Sequence, residues 1–314
     1  MTPQELKDCH ARIAPYIHRT PVLTSRLLNK ISGAELYFKC ENFQRMGAFK
    51  MRGATNAILQ LSEEQKSNGV VTHSSGNFAQ ALSLAAKSLG IKAYIVMPSN
   101  APKVKKDGVK EYDGEIIECE PTQHDREKTA KAIEEQKGAT FLHPYNMKDV
   151  ILGQGTAAIE LLEDHPDLEY LFAPVGGGGL IAGTALAASF FGTNCQVIGG
   201  EPFEVDDAYR SIKSGKLEVN KTTNTIADGL KMSIGDQTFP IIKEHVKEII
   251  RVTEDEIIAS MKLIWERMKI IVEPSCSVPL AALLKEKNSF KGHKIGIILS
   301  GGNVDLNNLP FRTI

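Results

Sequence analysis

The sequence predicts an α/β protein built as two open sheets flanked by helices. Three observations carry that expectation. From Val70 to Leu299, short apolar runs alternate with longer segments of helical period, the pattern of parallel strands joined by crossover helices. Two of the junctions are polar or glycine-rich turns feeding a helix, Ser74-Ser75-Gly76-Asn77 and Gly176-Gly177-Gly178-Gly179. A length of 314 residues, 42% hydrophobic and 24% charged, allows one large or two modest domains with a sizeable core.

Taken in order, Thr2-Pro3-Gln4-Glu5 is a capping box with proline at the first helical position, so a helix is expected to open the chain. Leu36 to Lys39 reads as a strand, and Ala48 to Leu61 as a helix with Ala54, Ala57, Ile58 and Leu61 on one face. Strands at 70–72, 93–97, 115–119 and 140–143 then alternate with helices at 78–89, near 103–112 and near 125–136, a compact parallel unit. A second α/β run begins with Gly153-Gln154-Gly155-Thr156, read as lying before a helix. It continues through a buried strand at 171–175, a closely packed helix from Leu180, and strands at 196–200 and 248–252. Thr253 to Glu256 is a second capping box, opening a helix through Lys269 whose Ile257, Met261, Ile264, Trp265 and Met268 form a core stripe. The strand Lys294 to Leu299 leads into Ser300-Gly301-Gly302-Asn303.

Composition narrows the function. A net charge of −1 removes any global electrostatic drive toward nucleic acid or an anionic membrane, so neither is an expected partner. The five cysteines are scattered without a C-x-x-C pair, which points to a reducing compartment and away from a cysteine zinc site. With no targeting pattern at the N-terminus and no apolar stretch approaching the roughly 20 residues of a membrane span, a cytoplasmic protein is expected.

The four glycines at 176–179 suit a phosphate. Residues without side chains let the backbone approach a ligand, and the unpaired N–H groups of the following helix sit at the positive end of its dipole. Two kinds of phosphate compete. Gly177, Gly179 and Ala182 satisfy G-x-G-x-x-A, with Glu201 after the next strand where a dinucleotide's ribose would need an acid. A monophosphate cofactor such as pyridoxal phosphate needs in addition a lysine of depressed pKa, and Lys50 stands among Phe38, Phe43, Met46, Phe49 and Met51.

Phe49-Lys50, Ser75-Gly76-Asn77, Gly176 to Gly179 and Ser300-Gly301-Gly302 occur in the order and spacing of the fold-type II pyridoxal phosphate enzymes. Within that group the chain resembles the serine racemase and serine/threonine dehydratase family over nearly its full length. The stretches FKCENFQRMGAFKMRGA, GQGTAAIELL, PVGGGGLIAG and LSGGNVDL carry the likeness. The resemblance implies a tryptophan synthase β-like fold, with a large domain of residues 1–68 and 147–314, a small substrate-clamping domain of residues 69–146, and the cofactor between them. It implies that Lys50 holds the cofactor covalently and returns as the base at Cα, with Phe49 beside the ring. Gly176, Gly177, Gly178 and Gly179 would hold the phosphate, Asn77 the ring's phenolic oxygen, and Ser300 the pyridine nitrogen. Ser75, Gly76, Asn77 and Gln80 would grip the substrate carboxylate. Ser75 is open to two readings, carboxylate binding alone or a second base opposite Lys50. Glu201, the Val205 carbonyl and Asp207 match a divalent-metal site, for Mg²⁺ or else Ca²⁺ or Mn²⁺, which takes Glu201 from the ribose. A homodimer is the family expectation.

The activity implied is ammonia-lyase (dehydratase) chemistry on a small β-hydroxy amino acid, with serine or threonine as the first substrate and threo-3-hydroxyaspartate as the second. Serine racemisation by Lys50 and Ser75 is the nearest alternative, and a nicotinamide-dependent oxidoreductase the distant one. Two departures bear on substrate: Phe78 stands where many relatives have histidine, and Cys276-Ser277 replaces a pair of small residues.

Overall fold

The structure is a computed structural model and describes residues 1–101 and 103–311. Capping chemistry starts it as expected. Thr2 accepts from the Glu5 N–H, the Glu5 carboxylate accepts from the Thr2 N–H, and α1 runs Pro3–Ile13. There follow β1 (Val22–Leu23), α2 (Arg26–Ser32), β2 (Glu35–Cys40), α3 (Lys50–Leu59) and α4 (Glu63–Asn68). The next stretch holds β3 (Val70–His73), α5 (Asn77–Ser88), β4 (Ala93–Pro98), α6 (Lys103–Glu111), β5 (Glu115–Cys119), α7 (Gln123–Lys137) and β6 (Thr140–Phe141). The remainder runs α8 (Lys148–Asp164), β7 (Tyr170–Pro174), α9 (Gly179–Phe191), β8 (Gln196–Pro202), α10 (Asp207–Ser214), α11 (Thr238–His245), β9 (Val246–Val252), α12 (Glu254–Met268), α13 (Pro274–Lys285) and β10 (Lys294–Leu299).

Among the described residues the strands form two sheets. One has the order β1-β2-β10-β7-β8-β9, parallel except for the β1–β2 pair, and the other has the order β5-β4-β3-β6, parallel throughout. The second sheet is made wholly from the stretch between Val70 and Phe141, and the first sheet takes the chain on either side of it. All strands but β1 therefore deliver their C-terminal ends to loops, where open α/β sheets bind ligands.

Three sequence expectations change. Gly153 and Gly155 lie inside α8, where they serve helix packing: a Cβ on Gly153 would fall 2.5 Å from Gly53 Cα, and one on Gly155 2.7 Å from the Gly183 carbonyl oxygen. Backbone contact of α8 with α3 and α9 needs those glycines, so a turn reading was natural but wrong. Glu201 lies within β8, opposite Arg251 of β9, and does not follow the strand. The expected helix at 48–61 starts at Lys50, because Ala48 is extended and bridged to Gly301.

Charge is buried beside the core. Arg52 on α3 donates to both Glu41 oxygens, at 2.7 and 2.8 Å, and to both Glu160 oxygens, at 2.7 and 2.8 Å. Lys39 Nζ adds a 2.6 Å contact to Glu160. Arg52, Glu41 and Lys39 are fully buried and Glu160 nearly so. Burial works against the Glu160 carboxylate, but Arg52 and Lys39 outweigh it and hold that carboxyl below its usual range.

Candidate active site

A cleft of about 1430 Å³ opens where the ends of β2, β3, β6, β7 and β10 converge. Its walls include Phe49, Lys50, Ser75, Gly76, Asn77, Gln80, Gly176 to Gly179 and Ser300. Those residues come from four separate strand ends, those of β2, β3, β7 and β10, so the topology gathers every expected cofactor and substrate residue into one place. The expected metal residues are elsewhere: Glu201, Val205 and Asp207 do not line the cleft.

The glycine loop is a backbone surface. Gly178 has φ +87°, a left-handed conformation natural to glycine, and caps α9. A Cβ on Gly177 would fall 2.4 Å from the Tyr145 ring, and one on Gly176 2.9 Å from Leu230 Cα. The Gly177 carbonyl accepts from Thr238 Oγ1 at 3.1 Å, while among the described residues the N–H groups of Gly176 to Gly179 find no protein acceptor. Buried unpaired donors at a helix N-terminus fit a phosphate monoester. The dinucleotide alternative loses its acid, because the Glu201 carboxylate accepts from the Ala208 and Tyr209 N–H groups at 3.0 and 2.9 Å and faces away from the cleft walls.

Lys50 opens α3 between two aromatic rings, with Nζ 5.2 Å from the Phe49 centroid and 5.7 Å from that of Phe78. The apolar setting is therefore different from the one expected: Phe78 supplies a wall, whereas Phe43 is exposed and Phe38 belongs to the cluster beneath β2 and β10. Lys50 Nζ donates to the Pro144 carbonyl at 2.8 Å. Dense protein around it lowers its pKa to about 8, burial prevailing over the opposing field of Glu273. A substantial fraction is thus free amine near neutrality, the state a nucleophile requires.

Ser300 follows β10 and is buried; its carbonyl accepts from the Phe49 N–H at 3.0 Å, locking the lysine turn to the serine turn. Ser75 and Gly76 stand at the N-terminus of α5, with a backbone open to the cleft: a Cβ on Gly76 would meet nothing within 4 Å. Gln80 lies one turn further on the same wall.

Four residues not singled out from the sequence complete the site. Glu273 is 4% exposed and accepts from Asn77 Nδ2. Its carboxyl is pushed up to about 8 by burial and by nearby Asp228, with Asn77 opposing. Asn303 donates to Asn77 Oδ1. His143 is held neutral, its pKa down to about 4 through burial and then through His73 and Lys50, and its Nδ1 accepts from the Asn146 N–H at 2.9 Å. Arg126, from α7, lines the cleft with a buried Nε that has no partner, and among the described residues no carboxylate pairs with it. In the sequence Glu273 precedes Pro274 and reads as a helix-start acid, and Arg126 reads as one charge on a solvated helix; only the third dimension turns them inward.

At the metal position both acids are buried. Burial and the neighbouring Asp207 raise Glu201 well above its ordinary value, burial raises Asp207 to about 6, and Asp207 Oδ1 has no partner. Asp207 Oδ2 accepts from the Ile234 N–H at 2.8 Å. Among the described residues no cluster of three or more His, Cys, Asp and Glu side chains is present, so carbonyl or water oxygens would have to complete a site.

A lysine of lowered pKa facing a backbone phosphate cradle on an α/β fold defines a pyridoxal phosphate enzyme, and residues 13–301 match the family model described as pyridoxal-phosphate dependent enzyme; the chain belongs to that family. It is 48% identical over 311 residues to the β-hydroxyaspartate dehydratase of Paracoccus denitrificans, covering 99% of each chain. It is 50% identical over 313 residues to the serine racemase of Dictyostelium discoideum, covering 98% of this chain and 97% of that one, and superposes on that enzyme's crystal structure with a TM-score of 0.93. It is 46% identical over 303 residues to the L-threo-3-hydroxyaspartate ammonia-lyase of Saccharomyces cerevisiae, covering 96% and 93%. The expected fold type and the expected lyase or racemase class agree with these relatives.

Proposed function

We propose that this enzyme is an ammonia-lyase acting on 3-hydroxyaspartate. One observation carries the choice of substrate: the cleft presents Arg126 with a buried Nε that has no hydrogen-bond partner and, among the described residues, no carboxylate in ion-pair contact. A substrate with a second carboxylate supplies that partner; serine and threonine do not. The order of substrates expected from the sequence is thereby reversed, and the names of the Paracoccus and Saccharomyces relatives support the same reading.

The residues present fit pyridoxal phosphate, with Lys50 to hold it covalently, Gly176 to Gly179 to bind its phosphate, Asn77 and Ser300 to contact its ring, and Phe49 beside it. When bound, that cofactor supplies an electron sink for negative charge developing at the substrate Cα. Ser75, Gly76, Asn77 and Gln80 bind the α-carboxylate at the N-terminus of α5, and Arg126 binds the β-carboxylate. Lys50, released by the incoming substrate amine, removes the Cα proton. The β-hydroxyl then leaves as water, taking up the proton that Lys50 removed from Cα, and later hydrolysis yields a 2-oxo acid and ammonia. Neutral His143 and the Phe78 wall keep the lysine's surroundings poor in competing charge, which favours its free amine.

We assign residues 69–146 to a small domain that closes on the substrate and residues 1–68 and 147–314 to a large one, a division supported by the two separate sheets. Asp207 and Glu201, with the Val205 carbonyl, are assigned to Mg²⁺ or a similar cation, supported by two adjacent buried carboxyls and the unpartnered Asp207 Oδ1. A homodimer in the cytoplasm completes the reading, the compartment supported by five free cysteines.

Racemisation of serine from the same carbanion, with Ser75 as second base, is the second reading, favoured by the 50% identity to a serine racemase. Assaying 2-oxo acid release and product chirality with threo- and erythro-3-hydroxyaspartate, L-serine and L-threonine decides between them. The highest kcat/KM for a hydroxyaspartate isomer supports the lyase; D-serine as the dominant product overturns it.

A further inference from the structure

The carboxamide of Asn77 is fixed by a chain of hydrogen bonds whose direction has only one solution. The Met46 carbonyl can only accept, so the 2.9 Å contact it makes identifies the nitrogen end of Asn303. That same Nδ2 lies 2.9 Å from Asn77 Oδ1, which leaves Asn77 Nδ2 directed at Glu273, 2.8 and 3.2 Å from its two oxygens. Glycines make room for both holders: a Cβ on Gly47 would come 2.8 Å from Asn303 Oδ1, and one on Gly301 2.8 Å from Glu273 Oε1. Met46 accepts a left-handed backbone, φ 55°, to present its carbonyl here, a conformation disfavoured for a long side chain. Asn77 opens α5 of the four-stranded sheet, whereas Met46, Glu273 and Asn303 all belong to the chain of the six-stranded sheet.

We propose that Glu273 is a positioning residue for the reaction that acts through Asn77: opposite Asn303, it orients the carboxamide across the cleft and leaves the second Nδ2 hydrogen for the cofactor. The inference rests on Asn77 being a cofactor contact. A side chain of this kind has to offer an acceptor at one place, and glutamine can do that as well as glutamate, whereas leucine cannot.

The test titrates pyridoxal phosphate into cofactor-free wild type, Glu273→Gln, Glu273→Leu, Asn77→Ala and the Asn77→Ala/Glu273→Leu double variant. It also follows backbone hydrogen exchange of residues 75–80 before cofactor is added. Glu273→Leu is expected to weaken cofactor binding by about tenfold, the upper end of one hydrogen bond's net worth, and to speed exchange at 75–80. Glu273→Gln is expected to restore most of both, and the double variant to bind no more weakly than Asn77→Ala alone. Losses that multiply in the double variant, or a Gln variant as weak as the Leu variant, overturn the inference. Wild-type affinity in Asn77→Ala would instead overturn the assignment of Asn77, a separately visible result. Should Glu273→Leu fail to fold, Asn303→Ala takes its place at an exposed side chain: weaker cofactor binding and faster exchange support the inference, and wild-type values for both overturn it.

Discussion

Lys50 and Arg52 stand two residues apart on the same helix, both enclosed by protein, and they are treated in opposite ways. Arg52 is met by Glu41 and Glu160, with Lys39 closing a group of two basic and two acidic side chains. Among the described residues Lys50 has no carboxylate in contact; its Nζ donates to a neutral carbonyl, and the buried acid whose field acts on it, Glu273, is bound to an amide. Burial therefore drives Lys50 down and Glu273 up, both to about 8. Compensated charge builds a framework, whereas uncompensated charge leaves groups that can give and take protons near neutral pH. The difference can be broken at either end.

The largest effect is expected from Lys50→Ala, which removes the group that both holds the cofactor and moves the proton. Turnover should fall below detection, borohydride should no longer trap cofactor on the chain, and thermal stability of the cofactor-free protein near neutral pH should hold or rise, since an amine whose pKa is lowered by burial opposes folding there. A trapped cofactor in this variant would mean that a different lysine serves. The matching change in the framework is Arg52→Met, which leaves Glu41 without a cation and Glu160 with Lys39 alone. It should cost about 3–5 kcal/mol of unfolding free energy, read from urea denaturation. A loss under 1 kcal/mol, roughly the worth of an exposed pair, would show that the buried cluster contributes little to the framework.

This contrast also explains what could be read in advance. The fold was legible because parallel α/β units write themselves as alternating apolar runs and capping boxes, and Thr2-Pro3-Gln4-Glu5, Thr253 to Glu256 and Lys294 to Leu299 fall where expected. Less visible was α13, buried from Ser275 to Leu283 and so without an amphipathic stripe. The glycine loop and Lys50 were legible as candidates from the order and spacing of their motifs, whereas the aromatics around the lysine were misjudged, since Phe78 stands there and Phe38 and Phe43 do not. Glu273, Asn303, His143 and Arg126 were not, because each is an ordinary polar residue in sequence; Glu273 and Asn303, for example, acquire their roles from Asn77, 196 and 226 positions away. The electrostatic design of the cleft is a long-range property, and local pattern does not encode it.

Arg126 probes the same contrast at the substrate. Like Lys50 it is a basic side chain with no carboxylate in contact among the described residues, but its neutralising partner is assigned to the ligand. Arg126→Met should lower kcat/KM for 3-hydroxyaspartate by about 10- to 100-fold, one lost charged hydrogen bond, while kcat/KM for L-serine changes little. Equal losses for both substrates would remove Arg126 from β-carboxylate recognition.

The smallest effect separates the two groups by the sign of their pH dependence. Glu160 has a lowered pKa in the folded protein, so its contribution is present above the ordinary value of 4.5 and is lost as pH falls through the folded value. Glu273 is the reverse: raised from 4.5 to about 8, it binds a proton that the unfolded chain has already released, so its contribution is full below 4.5 and declines as pH rises toward 8. Lys50, depressed from 10.5 to about 8, then adds stability as pH climbs between those values. Glu273→Gln cannot ionise, so in the cofactor-free protein its stability relative to wild type should improve steadily from pH 5 to pH 8, the window set by Glu273's own shift. Urea midpoints at four or five pH values would show the trend. A difference that stays constant across the window would mean that Glu273 is ionised throughout, and the cleft would then hold a permanent charge like the one two residues along the helix.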